Sequence, residues 1–415
     1  MATKANSVPH PTLVKVSPPP FHVLLKRKDT PADQQKGIHN RWHPDIPPVA
    51  TVKQGEVFKI ECVDWTGAQI GNNDTSDDIR DVDLTKIHNL SGPVAVEGAE
   101  PGDCLVVDIL DVTPFEQMPW GYTGIFELEN GGGLFAKEFN SRAAKAIWDF
   151  KGIYATSRHI PGVRFAGVSH PGLIGTAPSA ELLATWNARE TGLIAQHADA
   201  VPPVAFAPEP RGAYVGQELA EELRAKIARE GARTVPGREH GGNCDIKNLS
   251  RGSRCYFPVF VKGANLSVGD LHFSQGDGEA GIITFSTSVI KGGIEKFALK
   301  QPIFLPSPID PLYSSKLIFE GISVDYHGDG KQYNMDATVA YKQAARNAIA
   351  YLEKVHLLLS AAPVESHVGA VVDSPNACVT LALPLGIFDF DILPREEGLT
   401  KHDLGQCAIR SDGVL

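Results

Sequence analysis

The sequence predicts a β-rich α+β fold with a few covering helices, and three observations carry that prediction. Glycine (40) and proline (30) supply about one residue in six of the 415 and are spread evenly along the chain. Turn formers at that density cut a chain into many short strands and loops. Several segments alternate apolar and polar residues with a period of two, and only three segments read as helices.

The elements follow in order. Over residues 56–63, Phe58, Ile60 and Cys62 fall on one face of an extended chain, with Lys59 and Glu61 on the other. Residues 104–112 and 286–290 are further strand candidates. Pro101-Gly102-Asp103 and Val268-Gly269-Asp270 each read as a Gly-Asp turn that launches a strand. Ser179 can cap a helix over residues 180–197, and a second helix over 218–230 meets Gly231, a natural stop. Asp336 can cap a third, in which Tyr341, Ala345, Ala348, Leu352 and Val355 form an apolar stripe suited to packing on a sheet.

Composition excludes several function classes. The formal net charge is -10, from 39 basic and 49 acidic residues, and no Lys/Arg run exists to follow a phosphate backbone. Nucleic-acid binding is therefore not expected. No apolar run is long enough to cross a bilayer, so no membrane partner is expected either. The first 20 residues are polar and proline-rich, unlike a secretory signal or a transit peptide. Six dispersed cysteines without a CxxC pair read as free, mostly buried thiols of a reducing compartment, which makes the location cytoplasmic.

The densest chemistry lies in residues 234–279. If residues 270–274 are extended, Asp270 and His272 share a face, a pattern that is either an ordinary hydrogen-bonded pair or half of a metal site. Asp245, on a glycine-flanked loop, could complete such a site through carboxylate oxygen. Glu279 follows the Gly276-Asp277-Gly278 turn, which would aim its carboxylate back over the pair. A second cluster, residues 71–81, offers Asn73, Asp74 and Asp77; it is either a loop for a hard cation such as calcium or a solvated acidic loop built on Asx turns. A third places His170 before Pro171-Gly172 on a loop leading to a helix, where backbone N–H groups could face an oxyanion. No Gly-x-Ser-x-Gly elbow, Walker loop, dinucleotide fingerprint or His-Glu-x-x-His is present.

The run PGREHGGNCDIKNLSRGSRCYFPVFVKGANLSVGDLHFSQGDGE, residues 236–279, closely resembles the core of the acetamidase/formamidase family. The likeness extends through residues 39–84, 90–103, 157–179 and 373–392, in family order, and the long form with GGNCDIKNL is similar to the formamidase branch. The resemblance implies sandwich- or jelly-roll-like sheets, hydrolysis of formamide and other short aliphatic amides, and a homo-oligomer built from trimers. It also implies a bound divalent metal, zinc or else calcium. Residues 1–50 then read as an arm for oligomer contacts, 51–395 as a catalytic unit of intertwined β-rich sub-domains, and 396–415 as a tail.

The chemistry assigns roles to the three clusters. Asp245, His272 and Asp270 would hold the metal, and Asn73, Asp74 and Asp77 a second cation. Glu279 would take a proton from water, with His170 and Asp277 as further catalytic groups. Gly241, Gly242, Asn243 and Gly172 would bind the substrate. Two alternatives stay open: Cys244 as nucleophile assisted by Glu239 or Lys247, and a relative that binds an amide or metal without turnover. The sequence leaves the family pattern after Glu279, over residues 280–286, beside the expected site. A second departure, a shortened connection, falls at residues 354–358.

Overall fold

Two sheets packed face to face make the body of the protein. The computed structural model describes residues 32–392 except 132, 199–200, 202, 207, 217–218, 275–277, 310–315, 357–368 and 374–375. The first sheet runs in the order Ile38–His39, Leu90–Val96, Leu266–His272, His170–Gly175, Gly241–Asn243, with Ala50–Val52 paired in parallel to Leu90–Val96. The second is antiparallel, in the order Ile303–Leu305, Arg254–Pro258, Cys104–Pro114, Gly281–Ile290, Val57–Cys62. Val94, Ile174, Leu266, Val268 and Leu271 of the first sheet meet Phe58, Ile60, Leu105, Val107, Phe257 and Phe285 of the second in one dry cluster. Each such side chain contributes about 1.5–3 kcal/mol on burial, so this layer is the main stabilising feature.

The alternation over 56–63 is realised. Val57–Cys62 is a strand with every second residue buried, and Phe58, Ile60 and Cys62 face the core. Cys104–Pro114 and Gly281–Ile290 contain the other two candidates, and the latter takes most of the unusual stretch after Glu279 into its ladder, with a shift of register against Cys104–Pro114 between Thr284 and Phe285.

A four-stranded sheet (Trp120–Ile125, Ala144–Lys151, Tyr154–Ser157, Arg164–Ala166) and a three-stranded one (Lys316–Ile322, Asn376–Pro384, Gly369–Asp373) complete the strands. The helix Ala337–His356 lies on the three-stranded sheet, with Ala344, Ala345 and Ala348 against Leu381. Its first turn is capped as expected: Asp336 Oδ1 accepts the N–H groups of Thr338 (2.9 Å) and Val339 (3.0 Å). Ser179 likewise caps Ala180–Gln196 through a bond from the Leu182 N–H at 3.2 Å.

Three local expectations are corrected. The helix expected over 218–230 starts only at Glu221, because Ala220 is in an extended conformation and offers no capping side chain. Gly269-Asp270 is no turn before a strand: both residues lie inside Leu266–His272, with Asp270 at a φ of 53°. The other Gly-Asp turn, with Gly102 at φ 94°, does lead the chain into Cys104–Pro114. Third, His170 begins the strand His170–Gly175 and is not on a loop.

Of the segments set apart in the sequence, residues 1–31 and 396–415 lie outside the described residues, and Asp277 does too. Residues 38–43 are buried in the body, with Arg41 and Trp42 among its most enclosed side chains. No helix among the described residues is long and apolar enough to cross a membrane.

Candidate functional site

The first sheet gathers the site. His170 and His272 stand directly opposite each other in its ladder, and their rings meet edge to face at 5.2 Å. Both residues are buried. The ladder skips Gly172, whose carbonyl instead accepts the N–H groups of Cys244 (2.9 Å) and Asp245 (3.1 Å). That crossing ties the 241–245 segment to the His170 strand and sets Asp245 beside Asp270. The ligand atoms of Asp245, Asp270 and His272 all lie within 4.8 Å of one another.

Strand alternation alone does not produce this group. Asp270 takes a left-handed conformation, φ 53°, and Asp245 does the same at φ 48°. Such backbone is uncommon for residues other than glycine and costs about 1–3 kcal/mol. Both kinks turn carboxylates toward the histidines, and Asp270 Oδ1 sits 3.2 Å from His272 Nε2. Gly172 is the floor of the group. A Cβ there would lie 2.7 Å from Asp270 Oδ2 and 2.9 Å from Asp245 Oδ1.

The electrostatics are those of charged side chains among buried neighbours. Burial pushes the Asp270 carboxyl up, but His272, His88 and His170 outweigh it and hold the carboxyl below its usual value. Although much of the Asp245 residue is accessible, burial of its carboxyl and then the charge of Asp270 raise it to about 6. Burial lowers His170 to about 3, with His272 adding to the effect, so its ring is neutral. The Val168 carbonyl, 2.8 Å away, takes the Nδ1 proton of His170. Nε2 is thereby left as a lone pair, buried and without a hydrogen-bond partner among the described residues.

The Glu279 backbone pairs with the strand that carries Asp270 and His272. Its N–H donates to the Leu271 carbonyl at 2.9 Å, between Asp270 and His272, and the residue is 1% exposed. Gly278 before it packs on the indole of Trp65 and the ring of Tyr122.

Four residues of the site carried no sequence signal that singled them out. His88, buried and lowered in pKa by that burial, stands within electrostatic reach of Asp270 and His272. The Thr234 hydroxyl accepts the His88 backbone N–H and lies 3.2 Å from Nδ1. Trp65 packs against His88 at 5.4 Å. The Tyr122 hydroxyl donates to Asp64 Oδ2 at 2.8 Å, and burial raises the Asp64 carboxyl despite bonds from Thr66 and Ala68. His88, Trp65 and Tyr122 all precede residue 123, far in sequence from 234–279.

Other expected site residues are spoken for. The Gly241 N–H donates to Arg238 O at 3.1 Å, and Gly242 at φ 82° rests against the His240 ring. Asn243 Nδ2 donates to the Val235 carbonyl at 2.9 Å. Arg238 and Glu239 anchor this segment to the helix Ala180–Gln196: Arg238 donates twice to Glu190 (2.7 and 2.8 Å), and Glu239 accepts from Arg189 and Trp186. The Arg189 guanidinium holds Glu239 down at about 2, so it is a poor base. Burial, then Asp245, pushes the Cys244 thiol up to about 12, which leaves almost no thiolate at neutral pH.

The acidic loop is neutralised by the protein itself. Asn73 and Asp78 receive the Lys145 ammonium, Asp74 pairs with Arg158, and Asp77 with Arg80.

With that geometry established, the comparisons with known proteins are specific. The model of the acetamidase/formamidase family matches residues 25–390. A formamidase of Methylophilus methylotrophus is 55% identical over 392 residues, covering 91% of this chain and 95% of its own. An acetamidase of Mycolicibacterium smegmatis is 54% identical over 357 residues, 80% of this chain and 87% of its own. The solved structure of a gamma lactamase from Delftia acidovorans superposes with a TM-score of 0.85 at 53% identity, over 91% of this chain and 95% of that one.

Proposed function

The chain belongs to the acetamidase/formamidase family, and from that premise we propose that it hydrolyses formamide, and other short aliphatic amides, to the carboxylate and ammonia. The observation that carries the reading is the Asp245–Asp270–His272 group, within 4.8 Å and walled by buried histidines. Two carboxylates held this close repel each other unless a positive charge lies between them. The buried Nε2 of His170, without a hydrogen-bond partner among the described residues, offers a further ligand atom beside them. A set of carboxylate and imidazole donors suits zinc, whereas calcium takes oxygen alone. When bound, a divalent ion of this kind polarises the amide carbonyl and lowers the pKa of water to ~7.

The chain's own residues do the rest. Amides resist attack because resonance weakens the electrophile and amide nitrogen leaves poorly. Glu279 accepts the proton of the attacking water and returns it to the nitrogen, so that ammonia departs. The Thr234 hydroxyl, taking the His88 N–H, directs its own hydrogen to Nδ1 and makes Nε2 the protonated nitrogen of His88. That N–H orients the substrate carbonyl. The high thiol pKa of Cys244 and the low carboxyl pKa of Glu239 argue against a cysteine nucleophile.

Ammonia release from formamide, measured against acetamide, urea and a small lactam, tests the reading. Turnover of formamide with the highest kcat/KM is expected. The acetamidase and gamma lactamase relatives make acetamide and a small lactam the rival substrates. A protein that binds metal and turns over no amide would overturn the proposal.

A further inference from the structure

We propose that the Trp65 indole is the wall that limits the acyl side of the substrate, and so determines which amide the enzyme prefers. The inference rests on the amide-hydrolase reading and adds the residue that sets its specificity. Trp65 stands on the strand-end segment that follows Val57–Cys62, and its ring is wedged between two groups that border the reacting centre. On one side is His88, whose ring lies 5.4 Å away and which is within electrostatic reach of Asp270 and His272. On the other is Gly278, immediately before Glu279: a Cβ there would lie 2.8 Å from both Cδ1 and Nε1 of the indole, and 3.1 Å from the Tyr122 ring. Phe126 closes against the indole edge to face at 5.8 Å.

The indole is thus immobilised on three sides, yet Trp65 remains only partly buried. Through His88 the indole borders the group assigned to orient the amide, and through Gly278 the residue just before Glu279, assigned to carry its proton. A rigid flat wall beside the carbonyl carbon admits hydrogen as the acyl substituent and opposes a methyl or longer group. A pocket of this kind discriminates by about 10–200-fold per methylene. The backbone carbonyl of Trp65, which accepts both N–H donors of Asn89, needs no indole, so the local chain path survives a change of side chain.

The test measures kcat and KM for formamide, acetamide and propionamide with the unaltered enzyme, Trp65→Ala and Trp65→Phe, with circular dichroism and metal content as controls. Trp65→Ala is expected to raise the acetamide-to-formamide ratio of kcat/KM by about tenfold or more, mainly through a lower KM for acetamide. Trp65→Phe, which keeps the wall and trims it, should move the ratio part of the way, and it carries the test if the alanine variant fails to fold. A ratio within twofold of the unaltered enzyme in a folded, metal-replete variant overturns the assignment of Trp65 and leaves the amidase reading standing. Absence of amide turnover by the unaltered enzyme overturns both, and so separates the two failures.

Discussion

Adding one methyl group at Gly172 should disable the enzyme while leaving the sandwich intact. The new Cβ of Gly172→Ala would sit 2.7 Å from Asp270 Oδ2 and 2.9 Å from Asp245 Oδ1, where ordinary contact begins at 3.4 Å. The carboxylates must therefore retreat by 3.4 − 2.7 = 0.7 Å and 3.4 − 2.9 = 0.5 Å. The Asp270 carbonyl, 2.8 Å away, is backbone and blocks the easy direction of relief. Catalytic groups tolerate about 0.5 Å of displacement, and 1 Å of misplacement costs about 10²-fold. We expect kcat/KM for formamide to fall by about 10²-fold, equivalent to ~2.7 kcal/mol of transition-state stabilisation. Overpacking should cost about 1–3 kcal/mol of stability, small against the core described above. The assay pairs ammonia release with metal content by elemental analysis, at matched circular dichroism. A folded Gly172→Ala enzyme with full activity and full metal content would refute the geometry on which the site is built.

The remaining predictions bear on the nucleophile, the metal and the scaffold. Cys244→Ala should keep most of its turnover, since burial denies the thiol its ionised form; loss of turnover with metal retained would sink the water mechanism. Stripping the protein with a chelator should abolish ammonia release and zinc should restore it, so that full activity in metal-free protein would remove the metal from catalysis. Asp245 has a carboxyl raised to about 6, above its unfolded value, so its neutral form stabilises the metal-free protein at acid pH and that contribution is lost as pH rises through 6. The cation needs the charged form, so metal affinity should rise about tenfold between pH 5 and pH 7, and a flat profile would contradict the assignment. Arg238→Ala should lower the thermal midpoint, because it strands Glu190 beside a guanidinium site that is 0% exposed; breaking a buried pair costs about 3–5 kcal/mol. An unchanged midpoint would show the anchor to be dispensable.

Much of the framework was legible because it depends on local rules. The alternation of Phe58, Ile60 and Cys62 fixes a strand with one buried face whatever it pairs with. Ser179 and Asp336 mark helix starts through hydrogen bonds that span only three residues. The helix expected from residue 218 shows the limit: where no side chain caps the first turn, the start is set by the surroundings.

The site was legible as residue types and only partly as geometry. Alternation predicts Asp270-x-His272 to be a same-face pair of a regular strand, and the two do meet, but through a left-handed Asp270 that no alternation predicts. Pro171-Gly172 reads as a turn and so predicts a loop at His170; its ladder partner, His272, is 102 positions away and overrides that preference. The PGREHGGN segment drew attention for its polar density, yet Arg238 and Glu239 spend theirs on Glu190, Arg189 and Trp186 of one helix. Asn73, Asp74 and Asp77 offer oxygen enough for a cation, and Lys145 and Arg158 from elsewhere, with Arg80 of the loop itself, take it up.

By itself, then, the sequence determined the strand-rich class, the helix caps and the candidate donors Asp245, Asp270, His272 and Glu279, because these follow from side-chain chemistry and short-range periodicity. Only the tertiary structure decided that Gly172 is the floor beneath two carboxylates, that His170 faces the group with a fixed lone pair, and that Trp65 packs on His88 beside it. The reason is physical: pairing and packing bring together positions separated by a hundred residues or more, and nothing local to any one of them records the neighbour it will acquire.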